Sequence, residues 1–107
     1  MTWIIETLDA TVDAELDALP ADQLAKFIRI GEMIQSLGLN NVREPHVKHL
    51  ESSLWEIRMK GRDGISRGLY VVAKPKRVVV VRVFTKKTQK TPRREIELAL
   101  KRAKEVK

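Results

Sequence analysis

The chain has 107 residues, 43% of them hydrophobic and 33% charged, with a net charge of +7 and no cysteine. These values fit one soluble domain spanning residues 1–107, and they exclude disulfide frameworks, thiolate metal sites and redox chemistry through protein thiols. No apolar run approaches the roughly 20 residues of a bilayer crossing, and acids stand near the N-terminus where a signal peptide carries bases, so a cytoplasmic protein without membrane contact is expected. The charge is segregated: residues 1–40 hold seven acids and two bases, whereas residues 41–107 hold seven acids and nineteen bases. Clustered Lys and Arg point to a polyanion partner, with a merely solubilising surface as the alternative.

Along the chain, the β-prone run at Thr2–Thr7 (TWIIET) predicts a first strand. Val12, Leu16 and Leu19 recur at helical spacing over Asp9–Leu19, and Pro20 ends that helix. Leu24, Phe27, Ile28, Ile34 and Leu37 predict a second helix over Ala21–Leu37, closed by Gly38, and the two helices are expected to pack as a hairpin. Their acids Asp13, Glu15, Asp17, Asp22 and Glu32 read as a solvated face that is poor for RNA. Asn40–Ser53 is turn-rich and reads as a connection. Its two histidines, His46 and His49, lack the partners of a metal site, so no metal and no cofactor is expected.

From Leu54 the period changes to two. Trp55, Ile57 and Met59 alternate with Glu56, Arg58 and Lys60, which puts the last three on one face of a strand. Asp63-Gly64 signals a hairpin, Ile65–Ala73 forms the return strand, and a turn at Lys74–Arg77 leads to Val78–Thr85. Valine on both parities of that last strand predicts cover on both faces, while Arg82 and Lys86 open one face further along. Lys86–Lys90 is a basic loop, and Thr91-Pro92 reads as a cap and first turn of a final helix that packs through Ile96, Ala99, Leu100 and Ala103. Its outer face is read as basic through Arg93, Arg94, Lys101, Arg102, Lys104 and Lys107. The predicted fold is α+β, an antiparallel sheet of about four strands with an N-terminal helical hairpin and a C-terminal helix.

Gly-rich phosphate loops, GxSxG elbows, zinc patterns and paired metal-binding acids are missing from the sequence. Guanidinium and ammonium groups on strands allow one metal-free chemistry. RNA laid across them attacks its own phosphate through the 2′-hydroxyl while the protein orients the backbone and stabilises the developing charge. Arg58 and Arg67 suit the phosphate, since their planar forks bind two oxygens at once. Glu56 is the acid placed to act as base or to orient Arg58, and a crowded lysine is the other candidate for moving a proton. Lys48, Lys60, Arg62, Arg82 and Lys90 are the further candidates for RNA contact. Trp55, Tyr70 and Phe84 read as core.

LWEIR (Leu54–Arg58), Arg67 ahead of a hydrophobic strand containing Tyr70, and FTKKTQKTP (Phe84–Pro92) running into EIELAL (Glu95–Leu100) resemble the HigB-like, phage-related branch of the RelE/ParE toxin superfamily. The likeness spans about residues 48–105. It implies a type II toxin that cleaves mRNA on translating ribosomes without metal. It also implies silencing by a cognate helix-turn-helix antitoxin, with operator DNA contacted only through that antitoxin. Within it Arg67 resembles the superfamily's phosphate-contacting arginine, Arg58 the basic residue on the preceding strand, and Lys86 and Lys87 the basic pair closing the last strand. Glu56 stands where the RelE branch carries a catalytic lysine. A ParE-like inhibitor of DNA gyrase and a non-catalytic RNA-binding protein are the alternatives.

Overall fold

The computed structural model describes residues 2–86 and 89–107. The chain runs through β1 (Ile4–Thr7), α1 (Ala10–Asp17), α2 (Ala21–Leu37), a 3-10 turn (Leu39–Asn41), β2 (Val47–Glu51), β3 (Leu54–Gly61), β4 (Gly64–Ala73), β5 (Arg77–Lys86) and α3 (Arg93–Ala103). The strands form one mixed sheet in the order β1-β5-β4-β3-β2. β1 lies parallel to β5, and the other neighbours are antiparallel. The predicted α+β class holds, but the four-stranded antiparallel sheet becomes a five-stranded mixed one. The extra strand, β2, lies inside the stretch read as a connection. The two helices carry the chain from β1 to the far edge of the sheet at β2, and the antiparallel run β2-β3-β4-β5 returns across it, so that β5 arrives beside β1 in the same direction.

The expected helical hairpin is also corrected. α1 packs on β5 and α2 packs across β3, so both helices lie on the sheet rather than mainly on each other. Asp9 caps α1 by accepting the Val12 N–H at 3.1 Å, and Gly38 leaves α2 with φ +87°, a conformation that favours glycine. Phe27, Ile30 and Ile34 of α2 are buried against Val47, Ile57, Met59, Tyr70, Val78, Val80 and Val83. Each such side chain contributes about 1.5–3 kcal/mol of burial. The opposite face of the sheet carries a second core of Leu54, Leu69, Val71, Val79, Val81 and Phe84 under Ala99 of α3, flanked by Ile96, Leu100 and Ala103. The alternation of valines between the two cores bears out the expectation that β5 is covered on both faces.

A bulge interrupts that alternation. Tyr70 pairs with Val80 but Leu69 pairs with Arg82, leaving Val81 as an extra residue in β5. Past the bulge the parity is reversed, so Arg82, Phe84 and Lys86 fall on the α3 face. α3 itself starts one residue later than its sequence signal: Pro92, with ψ 141°, is the cap and Thr91 is turned inward. No helix among the described residues is long and apolar enough to cross a membrane.

Candidate functional site

α3 covers only part of its face of the sheet. Beyond the helix the same face continues as Glu56 and Arg58 on β3 and Arg67 on β4. Arg58 and Arg67 are direct cross-strand partners, so the pleat aims both side chains the same way. Glu56 lies between them, with Oε1 3.4 Å from Arg58 Nε and Oε2 3.8 Å from Arg67 Nε. Thr91 Oγ1 donates to Glu56 Oε2 at 2.5 Å, which anchors one carboxylate oxygen and leaves Oε1 toward Arg58. The two guanidinium groups converge on one atom, the main-chain carbonyl oxygen of Gln89, at 2.8 Å from Arg58 Nη2 and 2.6 Å from Arg67 Nη2.

Burial separates the two arginines. Arg67 is fully buried, whereas the Arg58 side chain is 22% exposed. Burial lowers the Arg67 pKa from its usual value, Glu56 opposes that shift, and Arg58 adds to it by like-charge repulsion. The burial of Arg67 was readable, because it shares strand parity with Ile65, Leu69 and Val71, all of them buried. Arg67 therefore reaches the site from beneath, and Arg58 meets solvent.

Two clefts meet at Arg58 and Gln89. One, of about 560 Å³, is lined by Lys48, Glu51, Glu56, Lys90, Thr91 and Arg93 among others. The other, of about 570 Å³, runs between α2 and β3 past Lys26, Arg29, His46 and Lys60. A wider apolar cleft of about 790 Å³, floored by Trp3, Val42, Val47, Trp55 and Val72, contains none of Glu56, Arg58 and Arg67. Trp55, read as core, is instead 37% exposed there, with its ring 4.8 Å from that of His49. Tyr70 and Phe84 are buried as read.

The remaining predicted cations divide between the site and other places. Lys48 is the cross-strand partner of Glu56, and Lys60 and Lys90 line the clefts. Lys86 ends β5 opposite Ile65 at the far edge of the same face, and Lys87 lies outside the described residues. Arg62 sits in the β3–β4 turn, where its backbone N–H donates to Asp22. Arg82 is drawn away into an ion network: it binds Glu95 through Nε at 2.7 Å and Glu15 through Nη1 at 2.8 Å. Arg102, read as part of an exposed basic face, binds the same Glu15 at 2.8 Å and the Val81 carbonyl at 3.0 Å. Glu15, read as solvated, therefore ties α1 to β5 and α3. Its partners are far away in the sequence, and no local pattern announces them. Thr91 was missed as a site residue because Thr-Pro reads first as a helix cap.

The profile of the family described as Phage derived protein Gp49-like (DUF891) matches residues 14–104. Comparison with curated proteins gives no match. Among solved structures, a chain of the archaeal RelE-RelB complex from Pyrococcus horikoshii OT3 superposes with a TM-score of 0.59 at 21% identity. The alignment covers 84% of this chain and 100% of that one, which makes the fold RelE-like.

Proposed function

The chain belongs to the phage-derived Gp49-like family, and from that membership, its RelE-like fold and the site above we propose that it is the toxin of a type II toxin-antitoxin system. The proposed activity is metal-independent endoribonuclease cleavage of mRNA on the ribosome. One observation carries the chemical part: two guanidinium groups converge on a single oxygen atom beside a carboxylate. In the reactive complex a non-bridging phosphoryl oxygen replaces the Gln89 carbonyl. Glu56 Oε1 takes the proton from the RNA 2′-hydroxyl, O2′ forms a bond to phosphorus, and the P–O5′ bond breaks. Lys48, across from Glu56 on β2, protonates the leaving O5′. Arg58 and Arg67 stabilise the additional negative charge on phosphorus. The products are a 2′,3′-cyclic phosphate and a 5′-hydroxyl.

The solved RelE-RelB complex supports an antitoxin as the cognate partner, and the helix-turn-helix type follows from the HigB-like resemblance. The test is cleavage mapping on programmed ribosomes with wild-type protein, Glu56→Gln and Arg58→Ala. The expected result is discrete cuts within translated codons by the wild type. Glu56→Gln loses about 10²–10⁴-fold in rate, as removal of a general base does, with undiminished ribosome binding. Growth arrest with intact transcripts refutes the nuclease reading, and DNA damage in its place points to gyrase.

A further inference from the structure

The N-terminal forty residues contain seven acids and only two bases, Lys26 and Arg29. Both bases lie on one stripe of α2 with Ile30 and Met33, at spacings i, i+3, i+4 and i+7, and all four line the cleft that opens beside Arg58. Lys60 of β3, Pro45 and His46 before β2, and Ile65 of β4 complete the lining. The His46 backbone is held there, because its carbonyl accepts the Arg58 N–H at 2.9 Å. No carboxylate among the described residues lines this cleft. Among the described residues Lys26, Arg29 and Lys60 form no ion pair, whereas Arg77, Arg82, Arg93 and Arg102 each bind a glutamate. The neighbouring acid Asp22, one turn before Lys26, is turned to the Arg62 backbone.

Cations lining the cleft together with Ile30, Met33 and Pro45 match a nucleotide, which has an anionic phosphate and an apolar base face. A volume of about 570 Å³ lies within the roughly 300–1,000 Å³ of small-ligand sites. We infer that the cleft between α2 and β3 is a second RNA subsite. It holds a nucleotide next to the scissile phosphate, with Lys26, Arg29 and Lys60 on the phosphates and Pro45 and Met33 against the base. This inference rests on the RNA reading of the adjoining site. It gives the strand a path from the cleft at Lys48 and Lys90, over Arg58, into the cleft at Lys26 and Arg29. α2, whose acids marked it as unsuited to RNA, thereby presents one basic stripe to the substrate.

The test is fluorescence anisotropy with a short 2′-O-methyl oligoribonucleotide, which cannot be cleaved by 2′-hydroxyl attack. It compares wild type, the pair Lys26→Gln with Arg29→Gln, and a control pair, Lys74→Gln with Lys104→Gln. The four residues are exposed, so far-UV circular dichroism should be unchanged. Each phosphate contact on a single strand contributes about 0.7 to the slope of log K against log salt. Two lost contacts should flatten that slope by about 1.4 and weaken binding about 25-fold at 0.1 M salt relative to a 1 M reference. The control pair should lose no more than about twofold, through the general field alone. Equal losses in both pairs, unchanged binding in the α2 pair, or no binding by the wild type overturns the subsite. An α2 pair that loses poly-L-glutamate but keeps the oligonucleotide overturns it in favour of an acidic protein segment. Ribosomal cleavage is scored separately, so either reading can fail without the other.

Discussion

Thr91→Val is nearly isosteric and removes one donor, the hydroxyl that meets Glu56 Oε2 at 2.5 Å in a setting where Thr91 is 6% and Glu56 2% exposed. Glu56 then keeps its arginine neighbours but loses that donor at a nearly buried oxygen. A hydrogen bond to a charged group contributes about 1.5–3 kcal/mol, and the loss should fall in that range. For 107 residues, at about 2.1 cal/mol/K of unfolding entropy per residue, the total is about 220 cal/mol/K, so Tm should drop by about 7–13 °C. The assay is thermal unfolding by circular dichroism of wild type, Thr91→Val, Glu56→Gln and the double variant. Because the two side chains touch, the cycle should show a coupling of at least about 1 kcal/mol. A Tm drop under about 2 °C, or additivity within about 0.5 kcal/mol, refutes the anchoring role.

Glu15→Ala leaves Arg82, Arg102 and the Val83 N–H without their shared carboxylate. A cost of about 2–3 kcal/mol in urea unfolding is expected, below the 3–5 kcal/mol of a fully buried pair because these groups are 15–21% exposed. A change within about 0.5 kcal/mol contradicts it. Gly61→Ala places a Cβ 2.5 Å from Asp22 Oδ2 and 2.6 Å from Cγ of the fully buried Gln23. Gln23 is held by the Ser66 hydroxyl, so the side chain has little room to yield and about 1–3 kcal/mol should be lost in the same assay. Burial raises the phenol pKa of Tyr70, the sole tyrosine, above its ordinary value of about 10. Folding favours the neutral phenol, so this contribution is complete below about pH 10 and is lost as pH rises towards the folded-state value. Phenolate absorbance should therefore appear late and together with alkaline unfolding; ionisation at the ordinary pH in folded protein contradicts it.

Periodicity found the elements whose faces are fully covered. β3 alternates in sequence, β4 and β5 run apolar because both their faces are buried, and the stripes of α2 and α3 meet the two cores, except that Ile28 and Leu37 of α2 are exposed. β2 escaped because an edge strand with only Val47 buried has half a pattern, and the register shift between His49 and Glu51 breaks what remains. The helical hairpin was expected because adjacent amphipathic helices read as mutual partners, and nothing local says that a sheet formed later in the chain takes both. At the site, parity alone aligned Glu56 with Arg58, and the hairpin turn set Arg67 opposite Arg58. Glu15 was misread for a different reason: it looks like an ordinary surface charge until β5 brings Arg82 between it and Glu95.

The bulge at Val81 links these outcomes. Without it, Arg82 would follow the alternation of Val78 and Val80 and point to the α2 face, where the neighbours are apolar. The extra residue lets Val81 pack under α3 while Arg82, next in sequence, emerges on the same side and reaches Glu95 in the first turn of that helix. The run from Thr91 to Glu95 is then fixed at both ends, by the Thr91 hydroxyl on Glu56 and by Glu95 on Arg82. Gln89, two residues before Thr91, has its carbonyl directed at Arg58 and Arg67 from outside that anchored run. Under the proposed RNA cleavage, a phosphoryl oxygen replaces that carbonyl while Thr91, Glu56 and α3 keep their places, and it enters a site whose carboxylate and arginines are already set.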